Sequence, residues 1–180
     1  MRNQLRSCAV VTSFLAVSSI RVFGQQHPPM PPGMTHEEHL AQMQRDADLN
    51  KRGALAMGFD QEKVAHHFRL TAEGGAIHVD VKNTSDAGTR QAIRTHLREI
   101  AAAFADGRFD APLLTHAEVP PGVPDLQRLK SAVTYTFSET ADGGIVRMAS
   151  MNADAIDAIH QFLRYQITEH HTGDPLTIGK

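Results

Sequence analysis

Histidine is the residue type that this chain uses most unusually, with 11 copies among 180 residues. The imidazole ring changes its charge near neutral pH, and in its neutral form it is the commonest metal ligand in proteins. All 11 histidines lie beyond residue 24. Three groups of them have the spacing to do chemistry, and each group predicts a different site.

The first group lies in the segment HPPMPPGMTHEEHLAQM, residues 27–43. His36, His39 and Met43 share one face of a predicted helix, because they stand three and four residues apart. Imidazole and thioether ligands together suit copper, as Cu(I) or, through the histidines, as Cu(II). The same spacing is also typical of a helix that docks through Leu40 and Met43 without any metal.

The second group comprises His66, His96 and His160, which lie on or beside the apolar faces of predicted strands and helices. A buried imidazole must hydrogen-bond through its ring nitrogens or bind a ligand. Each is therefore predicted to be a core histidine bonded to a backbone carbonyl or, if the three rings converge, a metal ligand. The pair His170-His171 at a predicted helix C-terminus is explained by the helix dipole.

The third group lies on the outer face of two predicted strands and comprises His67, Arg69, His78 and Asp80. If Thr71 pairs with Ala76, His67 lies opposite Asp80 and Arg69 lies opposite His78. An aspartate beside a histidine can orient the ring for metal binding or proton transfer. The alternative is a solvated sheet face with ordinary cross-strand pairs.

The elements that must position these residues form an internal repeat over residues 66–175. Alternating strand, Gly-Gly pair, alternating strand and amphipathic helix occur in residues 66–107 and again in 131–173. A Pro-rich loop, residues 108–130, joins the two copies. When Gly75 is set over Gly144, Val79 falls over Met148, and with a small gap AIRTHLR falls over AIHQFLR.

This pattern predicts an α+β fold, in which a tandem β-β-α repeat forms a four-stranded, mainly antiparallel sheet backed by two helices. An N-terminal helix precedes the repeat. The predicted core residues are Phe68, Leu70, Val79, Ile93, Leu97, Phe104, Phe137, Met148, Ile159 and Leu163.

Three segments precede the repeat. Residues 25–34 are Pro-rich and predict an extended tail. The sequence THEE predicts a capping box with Thr35 as N-cap, and Gly53 is the predicted stop, which bounds a helix over residues 35–53. Residues 54–65 then form a predicted linker.

Export is predicted from the first 24 residues. Arg2 and Arg6 precede an apolar run, CAVVTSFLAVSSI, that is too short and too polar to span a bilayer. This combination is typical of a signal peptide, predicted over residues 1–24. Cys8, the only cysteine of the chain, would leave with it. The predicted location is the periplasm or the medium, and no other segment is expected to span a membrane.

The motifs HHFRL, Gly-Gly, IRTHL, PPGV, IHQFLR and EHHTGDP follow one another along the chain. In this combination the chain resembles a family of exported bacterial proteins over residues 33–175, and the resemblance implies export but no particular activity. At the level of fold alone, a doubled strand-strand-helix unit resembles the copper-binding lipoproteins that assist nitrous-oxide reductase maturation. Such a likeness of fold does not carry function by itself.

Composition excludes one class of partner and leaves three functions open. A net charge of −2 does not predict the basic surface that nucleic acid requires. The first function is binding of a transition metal, best copper, and the second is a non-enzymatic module that binds a periplasmic protein or a small ligand. The third is a small enzyme with His/Asp acid-base chemistry, although Gly-x-Ser-x-Gly, phosphate-loop and dinucleotide motifs are missing.

Overall fold

A computed structural model of the protein describes residues 30–178. Within them the chain forms five α-helices and four strands: α1 His36–Met57, β1 Val64–Thr71, β2 Gly74–Val81, α2 Ala87–Ala105, α3 Asp110–His116, α4 Val123–Arg128, β3 Val133–Glu139, β4 Gly143–Ser150 and α5 Ala153–Glu169. None of the helices in this part of the chain is long and apolar enough to cross a membrane. The predicted signal peptide and residues 25–29 of the predicted tail lie outside the described residues.

The four strands form one sheet in the order β1-β2-β4-β3, and every neighbouring pair is antiparallel. The predicted α+β fold is therefore confirmed. Helix α2 packs chiefly on β3 and β4, whereas α5 packs chiefly on β1 and β2. Each helix thus covers the hairpin of the other repeat.

The pairing of the two central strands relates the repeats by an approximate two-fold axis. The alignment of Gly75 with Gly144 also sets Ile77 over Val146, and these two residues are partners across β2 and β4. Equivalent residues that pair with each other lie on a two-fold axis, because the operation must exchange them. The hairpins obey the same alignment, since Phe68 pairs with Ile77 and Phe137 pairs with Val146.

The Gly-Gly pairs lie in strands and not in the hairpin loops where the sequence pattern placed them. Thr71 pairs with Gly74, so the first turn is made by Ala72 and Glu73. A Cβ atom on Gly74 would collide with the carbonyl oxygen of Met148. The equivalent Gly143 has the same close contact, with the carbonyl oxygen of Val79. The glycines therefore permit close approach between the central strands.

Helix α1 begins as predicted and ends later. The capping box is confirmed, because the Thr35 side chain accepts from the Glu38 N–H at 3.2 Å and Glu38 accepts from the Thr35 N–H at 2.8 Å. The helix continues through Gly53, whose added Cβ would lie 3.2 Å from the Gln61 side chain, and its C-cap is Gly58 in the left-handed conformation. Part of the predicted linker is thus helical.

The predicted loop 108–130 contains α3 and α4, so it is more ordered than its prolines suggested. The predicted core residues are buried with one exception, Phe137, which is half-buried beneath the Arg98 guanidinium. The C-terminal segment after α5 returns to the sheet, where Asp174 accepts from the Phe68 N–H at 2.9 Å.

Candidate histidine site

Four histidines line one cavity between the sheet and the helices, and we call it the histidine cavity. They are His66 of β1, His96 of α2, His116 of α3 and His170 at the end of α5. The cavity holds about 50 Å³ of space for the centres of water-sized molecules, which is enough for an ion or a few waters. The rest of its lining is mostly apolar and includes Phe68, Val79, Leu97, Phe104 and Phe162, with Met57 from the last turn of α1.

Local structure explains how three of the four rings reach the cavity. His66 and Phe68 stand two residues apart on β1 and so share the face that the helices cover. His116 is the last residue of α3, and Ala117 turns the chain away with a φ of 58°. His170 caps α5, and His171 follows with a φ of 48°.

The rings are close enough to interact directly. The centroids of His66 and His170 are 5.3 Å apart with the rings stacked, and those of His116 and His170 are 5.2 Å apart at right angles. His116 Nε2 lies 3.0 Å from Gln166 Oε1. Three elements, β1, α3 and α5, therefore bring imidazoles together from distant parts of the chain.

Three buried polar atoms at the cavity have no hydrogen-bond partner among the described residues. They are Thr115 Oγ1, His116 Nδ1 and Gln166 Nε2, on side chains of residues that are 1%, 8% and 5% exposed. Leaving a buried polar atom unsatisfied costs on the order of 1–3 kcal/mol. Three such atoms in one small cavity indicate that the cavity binds a polar group or an ion.

Burial keeps these imidazoles neutral. It lowers the pKa of His66 to about 4, where nearby His96 adds to the effect, and it lowers the pKa of His96 to about 4. Burial, with His66 and His116 close by, lowers the pKa of His170 to about 3. Burial also lowers the pKa of His116. At neutral pH the rings therefore carry free lone pairs and no charge.

Of the second predicted group, the structure brings His66 and His96 to one cavity but not His160. His160 is 6% exposed and its Nε2 donates to the Thr71 carbonyl oxygen at 2.9 Å. It is thus the satisfied core histidine of the two alternatives. Arg94, which the sequence alignment sets over His160, makes the equivalent contact by donating to the Thr140 carbonyl oxygen at 2.6 Å. Both side chains hold the turn of the opposite hairpin.

The first predicted group stays on the surface. His36 is exposed, while His39 and Met43 are half-buried on α1. Leu40, the proposed docking residue, is 49% exposed, and the buried residues of α1 are Leu49 and Gly53. Of the two predicted docking residues, Met43 is thus partly covered and Leu40 is not, and the buried residues of α1 lie further along the helix.

The third predicted group shares a face, but in a register that differs from the predicted one. His67 pairs with His78, and Arg69 pairs with Ala76, because the turn is two residues long. Each histidine has a carboxylate of its own: His67 Nδ1 lies 3.2 Å from Asp174 Oδ1, and His78 Nε2 lies 2.9 Å from Asp80 Oδ2. Asp174 was not among the predicted residues.

Sequence reasoning missed His116 and His170. His116 lies in the Pro-rich connection, where no periodic pattern could orient it. For His170 a signal existed, because the alignment of AIRTHLR with AIHQFLR sets His170 over the core residue Phe104. An inward position was therefore implied, although the helix dipole was the explanation chosen.

In the part of the chain that the structure describes, no group of three or more His, Cys, Asp or Glu side chains is arranged to hold a metal ion. Comparison of the chain with models of protein families, with curated proteins and with solved structures finds no match. The chemistry of the site is therefore argued from its own residues.

Proposed function

We propose that the protein binds copper in the histidine cavity and acts as an exported copper-binding protein. The observation that carries the proposal is the convergence of four neutral imidazoles on one cavity that also contains unpartnered buried polar atoms. A buried histidine in an ordinary core bonds to a carbonyl, as His160 does. Buried imidazoles that keep free nitrogens fit a ligand-binding role better.

The lowered pKa values favour a metal over an anion. Metal ions bind neutral imidazole and compete with protons for the same lone pair. Rings with pKa values of about 4, such as His66 and His96, lose no affinity to protons at neutral pH. An anion would instead require the protonated rings that burial disfavours.

The lining favours copper among the transition metals. Met57 of α1 lines the cavity, and thioether with imidazole ligands is a set that suits Cu(I). Cys8 is the only cysteine, so a thiolate is no competitor if the signal peptide is removed.

Binding requires the rings to turn. His66 and His170 lie nearly parallel, at an angle of 21°, whereas ligands of one metal must point their nitrogens at a common centre. Rotation about the side-chain bonds of the two half-buried rings supplies this change. We therefore expect the metal to rigidify the contacts between α3, α5 and β1.

The test is titration of the metal-free mature protein with Cu(I) under a competing chelator, with Zn(II) in parallel. His66→Ala and His170→Ala should each weaken Cu(I) binding at least tenfold, and Met57→Leu should weaken Cu(I) more than Zn(II). His67→Ala, one residue away on the other sheet face, is the matched control and should change nothing.

Replacement of His36, His39 and Met43 together by Ala separates the surface set from the cavity. This change should remove only a weaker phase of the titration. Wild-type protein that binds no copper, or binding lost in the surface variant and kept in His66→Ala, would refute the cavity as the site.

A further inference from the structure

We propose that the outer face of the sheet carries a second binding site, for a small organic anion with a carboxylate or phosphate group. The anion would lie between the guanidinium groups of Arg69 and Arg147. This site is on the face opposite the histidine cavity, and it does not depend on metal binding.

The strand register places the two arginines on either side of one small residue. Arg69 of β1 and Arg147 of β4 are both direct partners of Ala76 on β2. Neighbouring strands lie about 4.8 Å apart, so the two Cα atoms are about 10 Å apart on one face. Arginine side chains at that spacing can both reach an oxyanion above the Ala76 methyl group, and each can donate two hydrogen bonds.

Neither arginine has an anionic partner in residues 30–178. The ion pairs and side-chain hydrogen bonds of this region involve other arginines, among them Arg94, Arg98 and Arg128. Two like charges on one sheet face repel each other unless an anion lies between them. The arrangement thus leaves a local positive charge that an external anion would neutralise.

The nearby carboxylates cancel only part of this charge, because Asp174 lines the groove with the two arginines and Asp80 does not. Asp174 already accepts from the Phe68 N–H at 2.9 Å and contacts His67, and Asp80 accepts from Thr140 Oγ1 at 2.9 Å and contacts His78. The two histidines border the same groove. Its lining therefore holds two arginines against one carboxylate, which the backbone of β1 already holds in place.

The C-terminal segment turns this face into a groove. Asp174 fixes one end of the segment to β1, and Arg164 Nε fixes the other by donating to the Leu176 carbonyl oxygen at 2.9 Å. The groove offers about 890 Å³ for the centres of water-sized molecules, with Pro175 and Ile145 as apolar parts of its lining. A ligand with an apolar body and one anionic group matches this combination.

The experiment is a titration of the metal-free protein at low ionic strength, followed by nuclear magnetic resonance, with benzoate and inorganic phosphate as separate probes. At least one probe should saturate and shift the Ala76 and Ile145 amide signals. Arg69→Gln and Arg147→Gln should each weaken that probe about tenfold or more, as expected for loss of one bidentate pair. Saturation by benzoate indicates a carboxylate ligand, and saturation by phosphate alone indicates a phosphate ligand.

Arg128→Gln is the matched control, because Arg128 is exposed and distant in the fold but carries the same charge. It should leave the titration unchanged. The proposal is overturned if neither probe saturates, if Arg128→Gln weakens binding as much as Arg147→Gln, or if the shifts map to the histidine cavity. All three variants should keep the wild-type melting temperature, since these side chains are at the surface.

Discussion

The same contact between a helix end and an edge strand is built twice in this molecule, from different side chains. On one side Phe104 of α2 meets Tyr135 of β3 edge-to-face, with ring centroids 5.8 Å apart. On the other side His170 at the end of α5 stacks on His66 of β1 at 5.3 Å. The approximate two-fold axis relates these pairs, because the alignment sets His66 over Tyr135 and Phe104 over His170.

The comparison shows what each half contributes. The Phe104 ring is 1% exposed and also contacts Phe109 and Phe162, so this side is an apolar core of ordinary kind. The histidine side fills the same place with rings that lose solvation and keep unused nitrogens. A position that accepts phenylalanine or tyrosine in one half does not need histidine for packing in the other. Histidine at these positions supports the binding role proposed above.

The largest expected effect is a difference in unfolding free energy between variants of the two sides. Phe104→Ala should lower the free energy of unfolding by about 3–5 kcal/mol, because it leaves a cavity in a closely packed aromatic cluster. His170→Ala should cost on the order of 1 kcal/mol or less, since the residue it truncates is only half-buried. Urea unfolding followed by circular dichroism measures both. Equal losses would mean that His170 is as much a packing residue as Phe104.

A smaller effect is expected from pH, and only on the histidine side. The folded-state pKa values of His66, His96 and His170 are lowered to about 4, 4 and 3, below the ordinary value near 6.5. As pH falls below about 6.5 the unfolded chain therefore binds protons that the folded chain does not, and stability is lost down to about pH 4 for His66 and His96 and about pH 3 for His170. The metal-free protein should lose on the order of 3 kcal/mol between pH 7 and 4.5, after allowance for partial exposure.

The double variant His66→Tyr, His170→Phe copies the other side and is the control for this pH dependence. Its unfolding free energy should depend less steeply on pH in that interval, measured by urea unfolding at several pH values. An unchanged slope would assign the pH dependence to other groups, such as the carboxylates.

The smallest change in stability is expected at a contact that both halves of the molecule make. His160 and Arg94 each hold the turn of the opposite hairpin through a carbonyl oxygen. His160→Leu should cost about 1 kcal/mol, the usual size of one hydrogen bond. Arg94→Leu should cost more, because Arg94 also donates to the Gly143 carbonyl oxygen at 3.1 Å and pairs with Glu139 at 3.2 Å. Thermal unfolding would show the larger decrease in Tm for Arg94→Leu. A loss of copper binding in His160→Leu would contradict its assignment as a structural residue.

The fold was predictable because its determinants are local. The buried face of each element follows from its spacing, which is alternating at Phe68 and Leu70 and helical at Ile93, Leu97 and Phe104. The repetition of the unit predicts that the two hairpins share one sheet. The register was not predictable in this way. Gly74 and Gly75 are as typical of a turn as of a close strand contact, and only the β2–β4 approach distinguishes the two.

The candidate site depends on contacts between distant residues, which no local pattern specifies. The histidine cavity joins residue 66 to residue 170 and both to a ring on a short helix, α3, that has no sequence periodicity of its own. Alternation correctly oriented His66, and the helix pattern placed His96 beside an inward stripe. The helix pattern also placed His160 inward, where its ring donates a hydrogen bond to a carbonyl oxygen. Orientation alone therefore does not distinguish a metal ligand from a core residue.

The exchange of helices between the two hairpins has a consequence for how the chain must fold during synthesis. When α2 leaves the ribosome, β3 and β4, on which it packs, have not yet been synthesised. The helix that covers β1 and β2 is α5, which is synthesised near the end of the chain. The first half is thus an incomplete folding unit with exposed apolar faces, which favours chaperone binding and aggregation. Produced alone, residues 64–105 would lack a cover for their own hairpin. A second copy of the same fragment could supply it by two-fold exchange.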